Sequence, residues 1–161
     1  MPLARIDEVV DGVAAAIEAT WSPTAPDEVL VEDEFRIITD PSDPDVIKGR
    51  KVYVLPETYD TPEPASRGED FQDYGVVVLI AKLYSAAGRP TKAWVRAERY
   101  WVEQNIYRPL TDPRNVLLPA SASGGLYAVA PSSVDPPYDV DELRERKLFL
   151  SLVRITFREE E

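Results

Sequence analysis

The run Tyr74-Gly75-Val76-Val77-Val78-Leu79-Ile80-Ala81-Lys82-Leu83-Tyr84 limits the possible folds more than any other segment of the chain. It is apolar without alternation and β-branched at its start, so a strand built from it has no wet face and needs cover on both sides. Residues 74–84 are therefore expected to be the central strand of a sheet, with the rest of the chain supplying neighbours and cover.

Two segments have the period of a covering helix. Ile6, Val9, Val10, Val13, Ile17 and Trp21 recur at spacings of three and four with Asp7, Glu8, Asp11 and Glu18 outside the stripe, predicting a helix over residues 3–21. Early acids suit the helix dipole, and Ser22-Pro23 followed by Pro26 supplies a stop. Trp94, Val95, Glu98, Trp101, Val102, Asn105 and Ile106 predict a second helix over residues 91–108, ending before Pro109. Phe35, Ile37 and β-branched neighbours predict a strand over 28–39, broken by Asp40-Pro41-Ser42-Asp43-Pro44-Asp45. A short strand over 51–55 is cut by Pro56.

Residues 57–73 form an acidic, proline-bearing stretch expected to be a long loop and the best candidate for a disordered region. Residues 110–137 are expected to be a second, proline-rich loop with brief strands at most, at 116–118 and 126–129. Residues 139–146 suit one or two helical turns capped by Asp139 or Asp141. The last element, 147–158, reads as a long strand with Phe149, Val153, Ile155 and Phe157 on one face. Leu148, Leu150 and Leu152 start its other face, so it is two-sided first and one-sided later. The layout is a single α+β domain over residues 1–161: an antiparallel-leaning mixed sheet with an N-terminal helix and a second helix packed on one face.

Composition narrows the chemistry. The chain has no histidine and no cysteine. That removes Ser-His-Asp and Cys-His nucleophile pairs, thiolate chemistry and the metal sites those ligands build, so no cofactor and no catalytic residue is expected. A net charge of −11, from 18 basic against 29 acidic side chains, makes a phosphate backbone repulsive by default. No stretch reaches the ~20 apolar residues of a membrane helix, and the N-terminus lacks the order of a signal peptide, so a soluble chain without a membrane partner is expected.

Each local cluster has a bland reading that outweighs the sharp one. Glu32-Asp33-Glu34 and Asp70 with Asp73 bring carboxylates together as a hydrolase would, yet neighbours on a strand point to opposite faces and acids are ordinarily solvated. Asp40, Asp43 and Asp45 suit turn chemistry better than a calcium loop, which would need a glycine and a distal glutamate. Ser121-Ala122-Ser123-Gly124-Gly125 lacks the helix start and lysine of a phosphate cradle. Arg96, Arg99, Tyr100, Trp101 and Arg108 interleave base and aromatic as single-strand binders do, but Trp94 and Trp101 belong to the buried stripe. Arg144, Arg146 and Lys147 make a local basic spot suited to a protein neighbour.

An initial helix, the strand Arg50-Lys51-Val52-Tyr53-Val54-Leu55-Pro56, a charged loop, the apolar central strand, a Trp- and Tyr-bearing helix and a final Leu152-Val153-Arg154-Ile155-Thr156-Phe157 together resemble the tail-terminator proteins of long-tailed bacteriophages. The resemblance rests on element order, length and strand texture across nearly the whole chain. It implies a virion protein, assembled in the host cytoplasm, whose subunits close into a hexameric ring at the head-proximal end of the tail. Its implied partners are other copies of itself, the major tail tube protein and the head connector or stopper, with DNA passing through an acidic lumen without specific binding. The implied contact elements are residues 57–73 and 139–147, giving Tyr59, Arg67, Asp70, Asp73, Asp141, Glu142, Arg144, Arg146 and Lys147 as assembly candidates. Region 110–137 is longer than the resemblance leads one to expect. The competing readings are another neck or connector protein, a carboxylate-dependent hydrolase using Glu32, Glu34, Asp70 or Asp73, and an acidic module that mimics nucleic acid.

Overall fold

A computed structural model describes residues 5–31, 37–58, 71–112, 114, 126–134 and 137–160. The first element is helix α1, Arg5–Trp21, whose stripe of Ile6, Val9, Val10, Val13, Ala14 and Ile17 is buried. It ends where Ser22 takes a left-handed conformation (φ 52°) and donates its N–H to the Glu18 carbonyl at 2.8 Å.

Among the described residues five strands follow in a single sheet: β1 Glu28–Val31, β2 Arg50–Thr58, β3 Phe71–Leu83, β4 Leu126–Val134 and β5 Leu148–Glu160, in the order β1-β2-β3-β5-β4. Of these, β1 and β2 run parallel and the other neighbours antiparallel. The α+β class, the antiparallel-leaning mixed sheet and the central place of residues 74–83 match the expectation. β3 and β5 pair without interruption from Phe71↔Glu160 to Leu83↔Leu148.

Strand periodicity divides the core in two. On one face Val52, Val54, Val76, Val78, Ile80, Phe149, Val153, Ile155 and Phe157 pack under α1 and the second helical run. Fully burying each such side chain is worth about 1.5–3 kcal/mol. Ser151 falls in the same row, opposite Ile80, and its hydroxyl has no hydrogen-bond partner among the described residues. On the other face Tyr53, Leu79, Ala81 and Leu148 pack with Ile47, supported by Leu30, Ile37, Leu150 and Leu152. Residues 37–48 provide that cover, pinned where Ile47 N–H donates to the Ile38 carbonyl at 2.8 Å.

The second helical run is longer than expected and passes through Pro109. It comprises α2 Lys92–Val102, a π turn Glu103–Tyr107 and α3 Arg108–Thr111. Thr91 caps α2 by accepting the Trp94 N–H at 3.2 Å. The π turn, in which Arg108 N–H reaches the Glu103 carbonyl, places Pro109 in the first turn of α3, where a missing donor costs little.

Other boundaries also move. Of the strand expected over 28–39, residues 28–31 form β1, residues 37–39 are not strand, and 32–36 lie outside the described residues. β2 continues through Pro56, which pairs with Val76 just before a register break and beyond the last β1 pairing at Val54. Pro56 thus falls beside an irregularity in the β2–β3 pairing, a kind of position where strands tolerate proline. The loop expected over 57–73 is shorter, since Glu57, Thr58 and 71–73 belong to β2 and β3, while 59–70 lie outside the described residues. Within 110–137 the chain forms the end of α3 and the nine-residue β4, which pairs with β5 and carries Pro131 inside its own register break. Residues 116–118 lie outside the described residues. Helix α4, Val140–Arg146, takes Asp139 as its cap, and β5 begins at Leu148 and runs two-sided and then one-sided as expected.

Candidate assembly surfaces

The candidates of the first contact element divide. Tyr59, Arg67 and Asp70 lie outside the described residues. Asp73 stands on β3 opposite Arg158 of β5, which donates from Nε at 2.8 Å and from Nη2 at 3.1 Å. Four residues back along β5 on the same face, Arg154 donates to Glu57 at 2.7 Å. Strand register, invisible in composition, decides both pairs. A carboxylate held bidentately by a guanidinium is a poor general base, because the lone pairs it would use already accept hydrogen bonds.

The second contact element is built by α4 and its junction with β5. Asp139 accepts the Glu142 N–H at 3.1 Å, while its own N–H donates to the Leu150 carbonyl at 2.8 Å, so the helix start is tied to the sheet. Asp141 is exposed in the first turn, and Glu142 meets Arg146 one turn later at 3.7 Å. Lys147 closes the helix in a left-handed conformation (φ 57°), its N–H reaching the Glu142 carbonyl and its carbonyl accepting Tyr84 N–H at 2.9 Å. Its backbone makes the corner, and Arg146 and Lys147 line a groove of about 580 Å³ against Pro41, Ile47 and Tyr84. Arg144 points elsewhere, into a separate groove with Arg89 and Tyr138. The expected basic spot is therefore two spots.

Three further clusters resolve. Asp40 accepts both the N–H (2.9 Å) and the hydroxyl (2.8 Å) of Ser42, and these hydrogen bonds, the backbone one first, hold its carboxyl below the usual aspartate range. Asp43 accepts Asp45 N–H at 2.8 Å, so this segment is a pair of side-chain-to-backbone turns. Among the described residues no three of His, Cys, Asp or Glu stand close enough to hold a metal ion. Glu32, Asp33, Glu34 and residues 121–125 lie outside the described residues. The base-and-aromatic pattern of the second helical run splits: Trp101 packs against the core, whereas Arg96, Arg99 and Tyr100 are exposed.

The densest electrostatic arrangement joins residues far apart in the sequence. Arg50 of β2 and Lys82 of β3 are direct cross-strand partners on the helix-covered face, where two like charges repel. Glu98 of α2 reaches down between them, accepting from Arg50 Nη2 at 2.6 Å and from Lys82 Nζ at 3.2 Å. The Arg50 guanidinium also lies over the Trp101 ring at 3.9 Å, and Trp101 meets Trp21 edge-on at 4.9 Å. Glu98 did fall in the periodic stripe of the second helix, a signal that it is buried and needs a partner. The partners depended on a register the sequence did not reveal. This cluster ties α2 to the sheet and to α1. Among the described residues no helix is long and apolar enough to cross a membrane. No protein-family model matches the chain, and no curated protein matches it.

Proposed function

We propose that the chain is a ring-forming structural subunit of a long-tailed bacteriophage, the tail terminator that caps the tail tube and joins it to the head connector, with no catalytic centre. One observation carries the reading beyond the resemblance: where β2 reaches Thr58 and β3 begins at Phe71, the sheet carries a row of polar, paired side chains on the face away from the helices. Among the described residues β1 pairs with Lys51–Val54, while β2 continues to Thr58. The face away from the helices carries the Glu57–Arg154 and Asp73–Arg158 pairs at that end, polar and half open to solvent, as a subunit contact rim is. The carboxylate-dependent hydrolase reading is disfavoured at Asp73 by its engagement with Arg158. The net charge of −11 supports a passage that phosphate does not adhere to.

Negative-stain imaging of the purified protein is expected to show discs with a central hole. Virions assembled without the chain are expected to carry overlong tails. Tails of normal length left unattached to heads move the protein to the head side of the neck, and normal, head-attached tails overturn the reading altogether.

A further inference from the structure

Helix α2 turns Lys92, Arg96 and Arg99 outward at spacings of four and three, and none of the three has an ion-pair partner among the described residues. Beside them lies a groove of about 450 Å³ floored by Val102, Val134 and Pro137 and flanked by Tyr100, with Glu103 on its rim already engaged by Arg108 at 2.8 Å. Arg99 lies over the Tyr138 ring at 5.8 Å, and Tyr138 also lines the neighbouring groove of Arg89 and Arg144, so the two basic grooves share this side chain. Of the three large apolar side chains that are exposed among the described residues, two, Tyr100 (66%) and Val140 (51%), belong to this surface. Unpaired cations around exposed aromatic and aliphatic groups have the composition of a protein contact, not of a solvated face.

Helix α1 offers the complement. Asp7, Asp11 and Glu18, spaced four and seven apart, form one outward stripe, and none has an ion-pair partner among the described residues. Although α1 and α2 touch at Trp21 and Trp101, no ion pair joins the two stripes within one chain among the described residues. α1 lies over β1 and β2, whereas the α2 groove adjoins Val134 of β4, at the opposite edge of the β1-β2-β3-β5-β4 sheet. We infer that the basic face of α2 in one copy docks on the acidic stripe of α1 in a second copy. Because the two patches differ and occupy opposite edges, the contact is head-to-tail and propagates into a ring or filament. The inference rests on the ring-forming reading for closure, and on charge complementarity for the contact itself.

The test measures the mass of the full chain in solution by light scattering at about 10 mM and about 1 M NaCl, where the Debye length falls from about 30 Å to about 3 Å. Wild type is expected to associate at low salt and dissociate at high salt. Arg96→Glu with Arg99→Glu, and separately Asp11→Lys with Glu18→Lys, are each expected to weaken association by more than about tenfold. Mixing the two variants is expected to restore it, since each reversed face then meets a complementary one in alternating copies; circular dichroism checks that both remain folded. A wild type that stays monomeric at low salt overturns the contact. So does association indifferent to either reversal, or folded variants that fail to complement. Single-stranded DNA binding by a monomeric wild type, abolished by the α2 reversal, reassigns the surface to nucleic acid. Indifference to reversal leaves the ring reading standing, and normal tails on virions lacking the chain sink the terminator reading while leaving the contact standing.

Discussion

Glu98 balances two cations with one carboxylate in a place where water reaches none of the three freely: its side chain is 5% exposed, that of Arg50 10% and that of Lys82 32%. Truncating it strands Arg50, while Lys82 can turn toward solvent. Glu98→Ala is therefore expected to cost about 3–5 kcal/mol in urea unfolding, the range for breaking a buried ion pair from one side. Replacing Arg50 and Glu98 together by Met removes charge from both sides and is expected to cost less than the single change, because no buried cation is left without its counter-ion. If the single substitution costs under about 1 kcal/mol, the cluster is solvated in solution and does not tie α2 to the sheet. Ser151 poses the opposite problem, a hydroxyl in an apolar row with no partner among the described residues. The alternation of Phe149, Val153, Ile155 and Phe157 already pointed to its face, although its burial was not drawn from it.

At the scale of elements, one glycine fixes how β1 and β2 are brought side by side. Gly49 has φ +69°, and a Cβ there would collide with the Asp27 carboxylate and approach Pro26 to 2.9 Å. That carboxylate also accepts the Arg50 N–H at 2.7 Å, which registers the start of β2 against the residue preceding β1. Gly49→Ala is expected to destabilise the chain by about 1–3 kcal/mol in chemical unfolding. A neutral result would mean the segment before β2 relaxes freely. Where periodicity is long and uninterrupted, as in α1, β3 and β5, the elements were legible from sequence to within a few residues. The errors cluster at prolines. Pro56 and Pro131 read as strand breakers but fall at register breaks, and Pro109 reads as a helix stop but follows a π turn. Local sequence marks a proline's missing donor without revealing whether tertiary pairing needed that donor. The same limit applies to the surfaces: the sequence marks Asp73 by its carboxylate, whereas its Arg158 partner is set by strand pairing alone, and it marks the α2 basic face as an aromatic stripe with arginines.

For the whole molecule, stability is expected to grade outward from the β3–β5 pair. These two strands share thirteen paired positions, and each has a second partner: β2 on the β3 side and β4 on the β5 side. Edge strand β1 contributes four positions and β4 is interrupted between Val129 and Ser133. Opening either edge exposes little of the apolar row, whereas parting β3 from β5 exposes both cores together and amounts to global unfolding. Native-state hydrogen exchange should therefore find the slowest amides at Val76–Ala81 and along the facing stretch of β5, with β1 and β4 exchanging through smaller openings. Equal protection in β1 and β3 would show that the sheet opens as one unit. The same measurement separates folding from assembly. If α2 of one copy rests on α1 of the next, protection in the outward turns of both helices should rise with protein concentration at low salt, while β3 and β5, already limited by global unfolding of the subunit, should change only as far as association stabilises the folded chain. A concentration-dependent gain confined to residues 37–48 would instead place the contact on the sheet's other face.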